Sequence, residues 1–417
     1  RRKISGSFTY YNTANVQLTT GVTVGLYHDG LQVGSDYTVT NGNYEFSGLC
    51  PGTYELRATS DRPTYGSVNT TDAAQVNYWG PHPYPIEKVR FYAGDVTREN
   101  FLNASDAQSI QQHFVNGTPF LREPWTFWNA GTTILSNPFV PIPDYPTVTL
   151  LPGSDLTVNM YGLCTGDFNR SFNPLNKKMA SATLSLDYGR SIHMEPGREF
   201  ELPVRMVHPS AIGALSMVLD FPSDIAEITG IEFMGSGGIF DWALDGHELR
   251  IGWHSDTPVF FDSYSEFIVL RLKTRDSFEN GRSIRLSLAD DPLNELADDQ
   301  FEVIPDAALL VDVVESSATG IEGHSGGHRL AAACHPNPFP GSAVISYTLP
   351  FAGDVSITLF DYTGRQVMML PGGALAAGNH RCPVNAKGLP AGIYTAVLSV
   401  ISPENISSTT LKLAISK

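Results

Sequence analysis

Three long stretches of this chain alternate apolar and polar residues with a period of two, and nothing else in the sequence constrains the fold as tightly. SGSFTYYN, VTVGLYHDG, YTVTNGNYEFSGL and GTYELRATS fill the first sixty residues. ATLSLDYG, FELPVRMVH, ALSMVLDFP, ELRIGWHS, FIVLRLKT, IRLSLAD and ALLVDVV run from about 180 to 315, and VISYTLP, DVSITLFDYTG, GIYTAVLSV and STTLKLAI close the chain. Successive side chains of a strand point to opposite faces, so each segment buries one face of a sheet and wets the other. The segments are short and closely spaced, which demands tight turns; Asp29-Gly30 and Asn41-Gly42 supply residues that tolerate positive φ. The 38 glycines and 28 prolines among 417 residues fit a chain of many such turns. The expected fold is mainly β, a string of β-sandwich modules around one small helical unit.

The helical unit lies between the first two β regions. VNTTDAAQVNYW and LNASDAQSIQQHFV each place a polar cap ahead of an apolar i, i+3/i+4, i+7 stripe, and Thr71-Asp72 and Ser105-Asp106 read as N-cap chemistry. Residues 118–163, with Trp125, Phe127 and Trp128, read as an extended excursion with a few strands. Lys and Arg number 27 against 43 Asp and Glu, a net charge of −16. Such a chain repels phosphate backbones and anionic lipid, which argues against nucleic acid as a partner and makes divalent cations good ones. No apolar run reaches the length of a membrane helix, so no membrane insertion is expected. Cys50, Cys164, Cys334 and Cys382 allow three pairings and form no Cys-x-x-Cys; disulfides and buried thiols both stay open. A chain that begins at Arg1 reads as processed or truncated.

The segment GDVTRENFLNASD carries the chemistry. Calcium takes six to eight hard oxygen ligands, and a loop that supplies them needs donors at relative positions 1, 3, 5, 7, 9 and 12. Counted from Asp95, these are Asp95, Thr97, Glu99, the Phe101 carbonyl, Asn103 and Asp106, with a helix directly after. Position 6, where Gly is usual, is Asn100, the next most tolerant of left-handed backbone. Two other fragments each hold half of such a loop. GDFNRSFNP gives Asp167, Asn169, Ser171 and the Asn173 carbonyl at positions 1, 3, 5 and 7; GSVNTTDAAQV gives Asn69 and Asp72 at positions 9 and 12. The halves are expected to meet in space as one split Ca²⁺ site. Phe172 at position 6 fits positive φ badly. With two carboxylates against three, the split site is expected to bind more weakly than the Asp95 loop.

Several segments resemble known families. GNYEFSGLCPGTYELRA is similar to the prealbumin-like repeats of bacterial surface adhesins. Paired loops of the GDVxxxxxxNxxD kind, each with a short helix behind, resemble dockerin modules, from which this chain departs by splitting one loop. MEPGREFELPVRM, IGALSMVLDFPSDIAEITGIEF, LRIGWHS and FIVLRLKT follow the order of a cohesin. HPNPFPGSAVISYTLP, DYTGR and GLPAGIY resemble the type A sorting domain of the Bacteroidetes type IX secretion system, and Pro336, Asn337, Pro338, Phe339, Gly364, Arg365, Gly392 and Tyr394 carry that match. The resemblances imply a prealbumin-like sandwich at 1–60, a dockerin-like calcium-binding unit with an extended insertion at 61–178, a cohesin-like sandwich at 179–315, a linker at 316–329 and a sorting sandwich at 330–417. They imply export by the type IX machinery to the outer cell surface or the medium.

No HExxH, G-x-S-x-G or P-loop is present. His254-Ser255-Asp256 are neighbours on one strand and point to alternate faces, so they form no relay. Asp290-Asp291 and Asp298-Asp299 read as solvated turn acids, and Trp125, Trp128, Trp242 and Trp253 as packing residues ahead of sugar platforms. The expectation is a non-enzyme: a calcium-stabilised scaffold that binds a protein partner through its cohesin-like domain. A self-assembling structural subunit and the accessory portion of a larger secreted glycoside hydrolase are the alternatives. Chelation is expected to loosen 61–178 and spare the 180–315 sandwich.

Overall fold

The alternation sorts the chain into strands whose inward residues build three cores, as the computed structural model shows. It describes residues 2–38, 41–138, 141–175, 184–279, 281–316, 330–361, 365–402 and 406–416. The chain divides into two compact units, Arg1–Thr319 and Gly320–Lys417.

In the first unit, the strand Arg2–Tyr10 pairs antiparallel with Asn43–Leu49 and parallel with Leu156–Thr157 and Met160–Cys164; the last of these pairs onward with Trp125–Asn129. A second sheet orders Leu31–Tyr37, Val22–His28, Gly52–Ser60 and Thr147–Leu150. Phe8, Val24, Leu26, Tyr44, Leu56, Phe127 and Met160 meet between them. The first sandwich therefore does not end at residue 60. The excursion at 118–163 returns strands to both sheets, and the Tyr44 hydroxyl donates to the Val158 carbonyl at 2.7 Å to fasten the return.

Three helices follow the first sheet strands: α1 (Thr70–Trp79), α2 (Lys88–Gly94) and α3 (Ala104–Asn116). The caps of α1 and α3 are Asn69 and Asn103, one residue before each helix, and not the Thr-Asp and Ser-Asp pairs read from the sequence. Each Asn side chain accepts an amide of the first turn, while Asp72 or Asp106 reaches back to the cap amide. Val76, Trp79, Phe91, Ala107 and Ile110 extend the same core that the first sandwich builds.

The second sandwich stacks the sheet Leu184–Met194, Ala307–Ser316, Glu199–Met206, Glu266–Thr274, Ala226–Phe233 on the sheet Ile239–Asp245, Glu248–Phe261, Ser210–Asp220. Leu202, Leu215, Met217, Trp253, Leu270 and Val311 lie between the two. Ile212 to Leu219 are all buried, eight in a row. A strand in a half-wetted sheet would show every second residue to solvent. Here the outer face is covered by α1 and α3. Thr70 donates its amide to Ser216 Oγ at 3.0 Å and its hydroxyl to the Leu215 carbonyl at 2.5 Å. Gln111 Nε2 and Gln112 Nε2 reach Asp241 at 3.0 and 2.9 Å, and Arg250 donates to the Phe114 carbonyl at 2.9 Å. A Cβ on Gly252 would stand 2.8 Å from Thr70 Cγ2, so the close approach of α1 requires glycine there.

The second unit is a smaller sandwich, with Ala331–His335, Ser342–Leu349 and Gly378–Asn385 facing Gln366–Leu375, Gly353–Phe360, Gly392–Ile401 and Ile406–Ile415. Ile345, Leu349, Ile357, Leu359, Leu398 and Leu413 form its core. All four cysteines are free thiols, and among the described residues no helix is long and apolar enough to cross a membrane.

Candidate metal centres

The first loop closes on itself ahead of α3. Asp95 accepts the amides of Glu99 and Asn100 at 3.0 and 3.2 Å. Asp106 accepts the Thr97 amide and hydroxyl at 3.1 and 2.8 Å and the Asn103 amide at 3.2 Å. Asn103 Oδ1 accepts the Ser105 amide at 2.6 Å and its Nδ2 reaches Glu99 at 2.5 Å. Phe101 sits half-buried within the same turn. Asp95 and Asp106 are both fully buried.

The same bonds recur where the two half-loops meet. Asp167 accepts the Ser171 amide at 3.1 Å; Asp72 accepts the amides of Asn169 and Asn69 at 2.8 and 2.9 Å; Asn69 Oδ1 accepts the Thr71 amide at 3.0 Å. In loop positions these are 5 to 1, 3 to 12, 9 to 12 and 11 to 9 in both places. Segments 95 positions apart, from Asp72 to Asp167, thus reproduce what residues 95–106 do in one stretch. Position 4 is left-handed in both, at Arg98 (φ 61°) and Arg170 (φ 65°), and position 6 is left-handed at Asn100 (φ 59°). Phe172 is not among the residues with positive φ, so the split loop leaves the common path at position 6. Its continuation is held from outside: Asn12 Nδ2 donates to the Phe172 carbonyl at 3.0 Å, and Asn173 Oδ1 accepts the Leu175 amide at 3.0 Å.

Electrostatics separate the two places. Asp95 is met by Arg122, which donates to its carboxylate at 2.5 Å and to its carbonyl at 2.7 Å. Burial raises the Asp95 carboxyl above its ordinary range, and Arg122 pulls it back. Burial pushes Asp106 up to about 7, against the Thr97 bonds and with help from the charge of Asp95. Asp72 is raised well above the usual range, first by burial and then by Asp167; Asp167 is itself raised by burial while the Tyr10 hydroxyl bonds to it. Among the described residues, no basic side chain forms an ion pair with Asp72 or Asp167. Two buried carboxylates that act on one another electrostatically are costly to take from water without a cation. The donor sets mix carboxylate, amide, hydroxyl and carbonyl oxygen, which suits calcium; among the described residues no group of three or more His, Cys, Asp or Glu side chains converges as a metal site, so most of the donors would be neutral oxygens. The buried Asn100 Oδ1 and Asn169 Nδ2, one in each loop, have no hydrogen-bond partner.

The sequence pattern did not single out Arg122, Tyr10 or Glu295, which come from distant segments. Of the other residues it weighed, His254 is buried against Gln111 (Nδ1 to Oε1, 2.6 Å), and burial lowers it to about 4. Trp125, Trp128 and Trp253 are buried in the two cores of the first unit, and Trp242 packs half-buried on the second.

In the second unit, Arg365 donates its amide and Nε to Asp361 at 3.0 and 3.2 Å. Asn337 binds the last strand through Lys412 and Ala414 at 2.8 and 2.7 Å, and Phe339 is buried beside it. Pro336 and Pro338 flank Asn337 at the surface. Tyr394, on the strand that begins at Gly392, donates to the Pro390 carbonyl at 2.9 Å. Gly364 lies outside the described residues.

No family model matches the chain, and no curated protein matches it. Among solved structures it is similar to a non-cellulosomal cohesin from the hyperthermophilic archaeon Archaeoglobus fulgidus, at 14% identity and a TM-score of 0.25, over 35% of this chain and 96% of that one. It is similar also to the seventh ScaB type I cohesin from Pseudobacteroides cellulosolvens (13%, TM-score 0.28, over 35% and 97%). A third is a chain of the Coh-OlpC-Doc435 cohesin–dockerin complex from Clostridium thermocellum (14%, TM-score 0.27, over 34% and 99%). These likenesses are partial, and the chemistry of the centres comes from their own geometry.

Proposed function

We propose that this chain is a non-catalytic, secreted structural protein of the cell surface whose first unit is fastened by two calcium ions. Asp95, Thr97, Glu99, Asn103, Asp106 and the Phe101 carbonyl would hold one ion. Asp167, Asn169, Ser171, Asn69, Asp72 and the Asn173 carbonyl would hold the other. The ions would supply positive charge and oxygen coordination where buried acids now face each other. The observation that carries this reading is the contact of Asp72 with the Asp167 loop, because it joins two distant segments through acids that form no ion pair among the described residues.

The reading places the protein outside the cell, delivered by type IX secretion machinery that recognises the second unit. The Asp361–Arg365 bonds and the buried Phe339 support a packed sandwich suited to recognition as a whole. A protein partner would bind an open face of the second sandwich, since α1 and α3 already cover the sheet that contains Ser210–Asp220. Self-association is the second reading, favoured by the hydrogen-bonded character of that helix–sheet contact, which two copies could make by exchange.

Calorimetric melting tests the metal part. Binding to the folded state alone adds about 2.7 kcal/mol per site at a hundredfold excess over Kd. Chelator is expected to lower the transition of the first unit and leave that of the second in place. Equal melting with and without chelator would overturn the reading.

A further inference from the structure

The position-9 asparagines have equivalent places in the two loops but different acid partners. In the continuous loop Asn103 Nδ2 donates to Glu99, the loop's own position 5, at 2.5 Å. In the split loop position 5 is Ser171, which has no carboxylate. Its asparagine, Asn69, instead donates at 2.7 Å to Glu295 Oε1, and Glu295 stands on a strand of the second sandwich that pairs with Ser210–Asp220. Glu295 is only 5% exposed. Thr71, buried at position 11, presents to the same carboxylate a hydroxyl that closes no hydrogen bond. Glu295 also acts electrostatically on Asp72.

We infer that Glu295, contributed by the second sandwich, holds Asn69 of the split calcium site in place and couples cation binding to the docking of α1 on that sandwich. It is a positioning residue. It fixes the Asn69 amide so that Oδ1 faces the loop, and its charge adds to those of Asp72 and Asp167. The next residue, Thr70, bonds the sandwich through Ser216 and Leu215, so loop and docking contact are adjacent along the chain. A cation that orders Asn69 and Asp72 orders Thr70 with them.

The inference rests on the calcium reading, and one titration separates the two. Calcium is titrated calorimetrically into metal-free full-length chain, Glu295→Gln and Glu99→Gln. Gln keeps a hydrogen-bond acceptor for the asparagine and removes only the charge. The expected result is two sites in the parent chain, about tenfold weakening of one in Glu295→Gln, and weakening of the other in Glu99→Gln. A parent that binds no calcium overturns the calcium reading itself. A parent with two sites whose affinities Glu295→Gln leaves unchanged overturns this inference alone. Hydrogen exchange on the unaltered chain gives an answer that needs no variant to fold. Amides of Ser210–Asp220 should lose protection together with those of α1 when chelator is added, and a strand that stays protected while α1 opens contradicts the coupling.

Discussion

At the scale of single residues, the acids at positions 1 and 12 of each loop dominate. Asp106 is buried with the Thr97 donors against its oxygens and under the charge of Asp95, which itself accepts from Arg122. Its folded-state value near 7 stands above that of the unfolded chain, near 3.9. A carboxyl raised in this way favours the folded state while protonated, so its contribution is full below about pH 4 and is lost as pH rises through 7. In chelator, the first unit should therefore lose stability between pH 4 and 8, on the order of 4 kcal/mol from this group. Excess calcium, which prefers the ionised form, should flatten or reverse that slope. Chemical denaturation at four pH values, with and without metal, checks the sign. An apo stability that climbs with pH over that window contradicts the account. The spacing of Asp95, Thr97, Glu99, Asn103 and Asp106 was legible because one loop carries every donor. Tyr10 and Arg122 were not, because nothing local to residue 10 or 122 records that each ends on a loop acid.

At the scale of elements, the strands were legible and their partners less so. A period of two announces a strand and its inner face, but says nothing of which distant strand pairs with it; hence Thr147–Leu150 and Met160–Cys164 emerge as sheet members from a segment read as an excursion. The helix α2 was missed because seven residues, nearly all buried, carry no amphipathic stripe. The helix–sheet contact did leave a trace, in the run Ala214 to Leu219, apolar except for Ser216, which a strand wetted on one side has no reason to keep. Gly252 tests that contact. Gly252→Val places branched methyls where Thr70 Cγ2 and Val115 Cγ2 already stand at 2.8 and 3.0 Å from the nearest added atom. It should destabilise the first unit by about 1–3 kcal/mol, as overpacking does, measured by urea unfolding with far-ultraviolet circular dichroism. A variant as stable as the parent would show that the helices sit loosely on the sheet.

At the scale of the whole molecule, the proposed calcium sites and the second sandwich lie in one compact unit. The sequence suggests that chelation spares residues 180–315, on the ground that the sandwiches are separate. The structure changes that expectation, because the helices that follow the proposed calcium loops cover one of the second sandwich's sheets. Loss of metal should therefore uncover Ala214, Ser216 and Val218, and an exposed sheet face invites a second copy. Size-exclusion chromatography with light scattering should show a monomer in calcium and concentration-dependent association in chelator. A monomer under both conditions removes the self-association reading and leaves the calcium reading intact.

The most direct measurement is the number of calcium ions bound by the purified chain, read by elemental analysis after dialysis against saturating calcium and removal of free ion. The account predicts two equivalents per chain, falling to one in Asp95→Ala and to one in Asp167→Ala. A parent chain that retains none would contradict it.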